Sequence, residues 1–304
     1  MTTGTTTLVS LADITEIELI ILRRLREVTL GDHRSHSQGP GFDYVGTRDW
    51  QPGDRFSNID WAQSSLSDFS KLVVREFAQP STATVIAVAD RSLSTRCGVG
   101  GVPIAASSAH AIATIGLSAV FFQDLFGLMT FDAGMRDVSV VRPRIGRSQV
   151  IHCLDAYESQ RGLQEVKYVE SLSTTIASFV RRTAMVPFIS DFLFDDARTV
   201  LNELAMLSNS HDTFVVLIDA AYAFELPRLS AGWIEIHDVE TGRARVVSRS
   251  EASKMSDRIR RWQDDVAAMA RDYDLDVIRL STEPGKSDLA LAEFVAERRL
   301  RKVV

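Results

Sequence analysis

The chain has 304 residues, 45% hydrophobic and 24% charged, a globular composition long enough for one large domain or two ordinary ones. A net charge of −6 argues against a general nucleic-acid binder, which carries a basic surplus. Two cysteines, Cys97 and Cys153, frame no disulfide scaffold and have no zinc-finger spacing, so a reducing, cytoplasmic setting is expected.

The opening MTTGTTTLVSLADITEIE has neither a basic leader nor an apolar core, so no secretory signal is expected. A first helix follows, with Asp13 expected as its cap, Glu16 as the capping-box partner and Gly31 as its stop. Ile14, Ile17, Ile21, Leu25 and Val28 recur at helical spacing and give it an apolar face. Residues 32 to about 80 differ in texture. They are rich in Gly, Ser, Asp and aromatics, carry the turn signals GPGFDY and QPGD, and contain one strand candidate, KLVVREFAQ. The expected organisation is therefore an N-terminal helix with a small β-rich segment over 1–80, then an α/β domain over 81–304.

From residue 82 strands and helices alternate. Strands are expected at 83–89, 125–131, 137–141, 184–190, 213–219 and 275–280. Helices are expected at 103–122, 147–158, 170–182, 194–207, 250–272 and 287–301. Apolar strands separated by helices predict a doubly wound, mostly parallel sheet with helices on both faces. GWIEIHDVETGRARVV alternates around a glycine-containing turn and predicts an inserted β-hairpin at about 230–248. The stretch Val102–Phe122 has no formally charged residue and is long enough to span a bilayer. It contains Pro103, Ser107, Ser108, His110, Thr114 and Ser118 and lacks flanking Lys/Arg or an aromatic belt. A buried core helix is expected there, with no membrane insertion.

Two apolar strands end in aspartate: VIAVAD at Asp90, and MVPFIS running into Asp191. In open α/β sheets, sites form beyond the carboxyl ends of strands. Asp90 begins D-x-S-x-S, which places one carboxylate and the hydroxyls of Ser92 and Ser94 on one loop. SLSTTIASF adds Thr174 and Thr175 at a helix start. These are hard oxygen donors, matched to Mg²⁺ or another divalent cation such as Mn²⁺ or Ca²⁺. Each fragment also has a plain reading as a helix cap or turn, and Asp195 and Asp196 compete with Asp191.

D-x-S-x-S after a strand, a later helix-start Thr and a later strand-end Asp resemble the metal-ion-dependent adhesion site of a von Willebrand A domain. The resemblance implies a cation held by Asp90, Ser92, Ser94, Thr174 and Asp191, with an open position for a partner's carboxylate. Ser173 stands where that family usually has Gly before the Thr, which leaves Thr175 as the rival of Thr174.

A second resemblance spans most of the chain. GPGFDYVGTRDWQPGDRFSNIDW is similar to the signature of the bacterial domain-of-unknown-function family 58, carried by Gly39, Gly41, Arg48, Pro52, Gly53, Asp54, Ile59, Asp60 and Trp61. LIDAAYAFELPRLSAGWIEIHDVETG and YDLDVIRLST…LAEFVAERR fit as well. Ser57 and Leu66 stand where arginines are common, and Ala220 stands in place of the usual proline. The RDWQPGDRFSNIDW block has two readings. In one, Arg48, Asp54 and Asp60 form a buried ion-pair network with Trp50 and Trp61 as core. In the other, they form a ligand site.

There is no G-x-x-x-x-G-K-[ST] loop and no G-x-S-x-G elbow, and GVGG at 98–101 lacks dinucleotide spacing. His33 and His36 are expected in a surface loop and His110 in the core. The resemblance implies a non-enzymatic, metal-dependent protein-binding module. It would work with a MoxR-type AAA+ ATPase as an adaptor in assembling or activating another protein complex, and capture an acidic side chain. The alternative is a metal-dependent phosphohydrolase using Asp90. Haloacid-dehalogenase-like enzymes, which place an Asp after the first strand, also need a second acid two residues on, where Ser92 stands.

Overall fold

The computed structural model describes residues 7–32, 43–52, 54, 56, 59–66, 70–78, 82–99, 102–132, 137–159, 162–167, 171–180, 182–224, 233–237, 244–281 and 286–301. The chain forms two units, one of Met1–Glu27 with Ala83–Val304, the other of Val28–Thr82. Helix α1 (Leu11–Asp32) begins three residues earlier than expected. Its cap is Ser10 rather than Asp13. The Ser10 hydroxyl accepts the Asp13 N–H at 3.2 Å, and the Asp13 carboxylate accepts the Ser10 N–H at 2.7 Å. Asp13 thus supplies the reciprocal half of the box, and Glu16 is exposed. The helix also runs through Gly31, since one glycine costs only about 1 kcal/mol in a helix and does not end it.

The smaller unit pairs β1 (Asp43–Asp49), across the short helix α2 (Trp61–Leu66), with β2 (Val73–Ala78) in antiparallel register. The expected three-residue network divides in two. Arg48 makes a forked bond to Asp54 at 2.7 and 2.8 Å. Asp60 instead accepts from Arg75 at 2.9 Å and caps α2 through the Ala62 and Gln63 N–H groups. Asp60 therefore starts a helix and turns Trp61 outward, 58% exposed, so Trp61 is not core. Trp50 stacks on Phe56 at 6.2 Å. Gly39, Gly41, Gly53, Ser57, His33 and His36 lie outside the described residues.

The larger unit continues with β3 (Thr84–Asp90), the two-residue strands β4 (Gly98–Val99) and β5 (Val102–Pro103), and α3 (Ile104–Phe121). Next come β6 (Leu125–Phe131), β7 (Asp137–Arg144), α4 (Arg147–Ser159), β8 (Gln164–Lys167) and α5 (Leu172–Phe179). Then follow β9 (Ala184–Ser190), α6 (Ala197–Ser208) and β10 (Asp212–Ile218). The chain closes with β11 (Trp233–His237), β12 (Ala244–Ser248), α7 (Arg249–Asp272), β13 (Asp276–Leu280) and α8 (Asp288–Arg301). The expected hairpin is β11 against β12, with Trp233 opposite Ser248. Residues 238–243, between the two strands, lie outside the described residues.

Seven strands form one mixed sheet in the order β13-β10-β9-β3-β6-β7-β8. From β13 to β6 all neighbours are parallel, while the β6–β7 and β7–β8 pairs are antiparallel. β3 lies at the centre and shows why its apolar run is nearly continuous. Val85, Ala87 and Ala89 face a core built with α3, α4 and α8, while Ile86 and Val88 face a second core built with α5, α6 and α7. Both faces are therefore dry.

α3 is long and apolar enough to cross a membrane, yet 83% of it is buried inside the protein. Two of its polar residues bond back into the helix: Thr114 donates to the His110 carbonyl at 2.9 Å, and Ser118 to the Thr114 carbonyl at 2.8 Å. Ser107 Oγ, Ser108 Oγ and His110 Nδ1 are buried with no hydrogen-bond partner among the described residues. His110 is buried among them, 3.5 Å from Asp288. Ile14, Ile17, Ile21 and Leu25 of α1 join the α3 core. Ion pairs Glu18–Arg147 at 3.1 Å and Arg24–Glu293 at 2.6 Å tie α1 to α4 and α8. The first part of this helix is thus built into the α/β unit.

Candidate functional site

β3 and β9 are parallel neighbours with Ala89 level with Ile189, so both strands finish at the same edge of the sheet. After β3 the chain moves to β6 on one side, and it later returns to β9 on the other. Such a reversal opens a crevice between the two loops. Asp90 and Asp191 stand at its base, 0% and 1% exposed.

Each carboxylate is fastened by its own loop. Asp90 Oδ1 accepts the Ser92 N–H at 2.8 Å, and Oδ2 accepts the Ser190 hydroxyl at 2.6 Å. The Ser190 oxygen in turn accepts the Phe192 N–H at 2.9 Å, linking the two loops. Ser92 and Ser94 bring their hydroxyls within 2.9 Å of each other, and Thr95 closes the turn onto the Ser92 carbonyl. Asp191 Oδ1 accepts the Leu193 N–H at 3.0 Å. Its Oδ2 is buried and has no hydrogen-bond partner among the described residues. The Ser94 hydroxyl draws the Asp191 pKa down but makes no well-aligned bond to that oxygen.

The electrostatics follow from burial. Desolvation, and then the neighbouring Asp90 charge, push the Asp191 carboxyl up to about 7. Desolvation also raises Asp90, against the Ser190 and Ser92 hydrogen bonds that favour its charged form. Two buried acids side by side need either a proton or a cation between them. The donors present, two carboxylates and two hydroxyls with one carboxylate oxygen unspent, fit a hard divalent cation. Among the described residues no group of three or more His, Cys, Asp or Glu side chains could hold a metal ion. A site here would therefore depend on hydroxyls and water as well as on its two acids.

Thr174 and Thr175 are engaged elsewhere. Thr174 is exposed, with its hydroxyl 2.7 Å from that of Ser171, the N-cap of α5. Thr175 is buried and donates to the Ser171 carbonyl at 2.8 Å. Both of these hydroxyl contacts stay within the helix start. Asp195 and Asp196, the rivals of Asp191, are exposed.

Four supporting residues carry little or no local sequence signal. Tyr157 donates to the Asp90 carbonyl at 2.9 Å from α4. Trp262 on α7 donates to the Phe192 carbonyl at 2.7 Å, holding a residue whose φ of 55° is unusual for a bulky side chain. Gln263, fully buried, donates to the Asp191 and Ile218 carbonyls at 2.9 and 2.8 Å and accepts the Ala220 N–H at 3.3 Å. Ala220 uses there the N–H that a proline lacks. Ser190, the fourth, had one available signal: a polar residue closing an otherwise apolar strand, next to Asp191.

A family profile described as "Protein of unknown function DUF58" matches residues 46–268. No curated protein matches the chain. Among solved structures, the conserved hypothetical protein BatB from Bacteroides thetaiotaomicron is 13% identical, with 72% of this chain and 99% of that chain covered and a TM-score of 0.42. An aerotolerance-related membrane protein from Bacteroides fragilis NCTC 9343, with multiple mutations to serines, is 16% identical, with 71% and 99% covered and a TM-score of 0.41.

Proposed function

We propose, for a chain that belongs to the family of proteins of unknown function DUF58, that its α/β unit is a von Willebrand A-like binding module. A divalent cation held between Asp90 and Asp191 would capture a partner protein. The observation that carries this reading is the unpartnered, buried Oδ2 of Asp191 beside a second buried carboxylate. The strand order, reversing at β3, supports a doubly wound arrangement of the von Willebrand A kind.

Asp90, Ser92, Ser94 and Asp191 would hold Mg²⁺, or Mn²⁺ or Ca²⁺, directly or through water. Thr174 would join them only by giving up its contact with Ser171. When bound, the ion supplies a Lewis-acid position that an acidic side chain of the partner fills. The protein residues do no bond-making chemistry; they orient the oxygen donors around the ion. The resemblance of the family signature extends this to an adaptor of the cytoplasm that works with a MoxR-type AAA+ ATPase on another protein complex.

The test is calorimetric titration of Mg²⁺ into the full chain and into Asp90→Ala/Ser92→Ala and Asp90→Asn variants, with circular dichroism to verify folding. Binding by the parent and at least tenfold loss in a folded variant are expected. Unchanged affinity in a folded variant sinks the site assignment.

A further inference from the structure

Behind the Asp90 loop, and outside the proposed cation ligands, lies a cavity of about 310 Å³ lined by Leu8, Arg91, Thr95, Arg96, Tyr157 and Glu158, with Pro103 and Ala105. That size lies in the range of small-molecule sites. Its polar groups are not equally committed. The Tyr157 hydroxyl is spent on the Asp90 carbonyl, and the Thr95 hydroxyl on the Ser92 carbonyl. The Glu158 carboxylate accepts the Leu8 N–H at 3.2 Å.

The two guanidinium groups remain. Arg91 is half-buried and Arg96 exposed, and among the described residues neither side chain makes a hydrogen bond or ion pair. Both guanidinium-bearing residues line the same cavity, so two like charges share one space. A half-buried cation beside a like charge, with no hydrogen-bond acceptor among the described residues, is costly to desolvate. An oxyanion between the two would neutralise both and match their planar donor forks.

We propose that this cavity binds a small molecule carrying a phosphate or carboxylate group, held between Arg91 and Arg96. Leu8, Pro103, Ala105 and the Tyr157 ring supply apolar wall for the body of the ligand. Thr95 and Tyr157 line this cavity and also brace the Ser92 and Asp90 carbonyls, so the ligand rests on the same scaffold as the cation loop. The proposal goes beyond the cation reading and does not rest on it.

The experiment titrates the full chain, in chelator, with inorganic phosphate and separately with succinate, following heat and thermal stability. Sodium chloride at matched ionic strength is the control. A saturable response to either probe is expected, the responding probe distinguishing a phosphate from a carboxylate source. Arg91→Gln and Arg96→Ala are each expected to weaken it at least tenfold. Because Arg96 is exposed, Arg96→Ala should keep the parent's unfolding temperature in sodium chloride, so it reads binding even where the Arg91 variant folds poorly. The proposal is overturned if neither probe saturates, if sodium chloride reproduces the effect, or if Arg96→Ala binds like the parent.

Discussion

Replacing Asp191 by Asn separates the charge of the site from its shape. In the cation-free protein the Asp191 carboxyl titrates near 7, against an ordinary value of 3.8. The folded state thus holds a proton that the unfolded chain has already released. Stability from this group is fully present below about pH 4 and is lost as pH rises through 7. Roughly three pKa units at about 1.4 kcal/mol each place the loss on the order of 4 kcal/mol. The amide introduced by Asp191→Asn would keep the acceptor for the Leu193 N–H and remove the ionisation. In chelator the variant should therefore be the more stable protein at pH 8, by up to that amount, and close to the parent at pH 4.5. In saturating Mg²⁺ the gap should narrow: the parent gains about 2.7 kcal/mol at an ion concentration one hundred times Kd, which offsets most of that difference, and the variant gains little. Urea unfolding at pH 4.5, 6 and 8, with EDTA or Mg²⁺, measures all of this. A parent whose chelated stability is flat between pH 4.5 and 8, or a variant with the parent's Mg²⁺ response, would refute the reasoning.

Two further substitutions probe the support beneath the carboxylates. Ser190→Ala removes the donor to Asp90 and the acceptor of the Phe192 N–H, and should cost about 1–3 kcal/mol in urea unfolding at pH 7. Its Mg²⁺ affinity should fall less than that of an Asp90 variant. Gln263→Leu strands the Asp191 and Ile218 carbonyls and the Ala220 N–H in a dry interior. At about 1–3 kcal/mol per orphaned group, a loss of at least 3 kcal/mol is expected, and a loss below 1 kcal/mol would show that water replaces the amide.

The central strand and both strand-end acids are legible in the sequence because burial on two faces demands an unbroken apolar run, and a polar residue must end it. Strand direction is not legible. β7 alternates like any half-buried strand, and nothing in that pattern says whether it runs with or against β6. β8 is four residues long, too short for periodicity to register. The first helix cap is ambiguous because Ser10 and Asp13 are both capping types with a carboxylate three residues on. Only the turn onto which Leu11 folds distinguishes them. Trp61 misleads for a similar reason. I-D-W alternates like a strand, but a preceding Asp that accepts two backbone N–H groups makes a helix start instead. The partners of Asp90 are beyond reach by kind: Tyr157 and Ser190 lie 67 and 100 residues away, a proximity created only by folding.

The same distance explains how the site is held together. Asp90 and Asp191 repel one another when ionised, so β3 and β9 would be pushed apart at this edge if nothing else joined their ends. Ser190 bridges them directly, touching Asp90 with its hydroxyl and its own loop through Phe192. Trp262 and Gln263, adjacent on α7, then grip the Phe192 and Asp191 carbonyls from the other side. Adjacent residues on a helix point about 100° apart, so one turn of α7 fixes two consecutive carbonyls and holds the backbone that carries the Asp191 side chain. Among the described residues the Oδ2 of Asp191 is left without a hydrogen-bond partner while the backbone that carries it is held by Gln263. On the proposed reading, what relieves it comes from outside the chain, as a proton at low pH or as a cation at neutral pH.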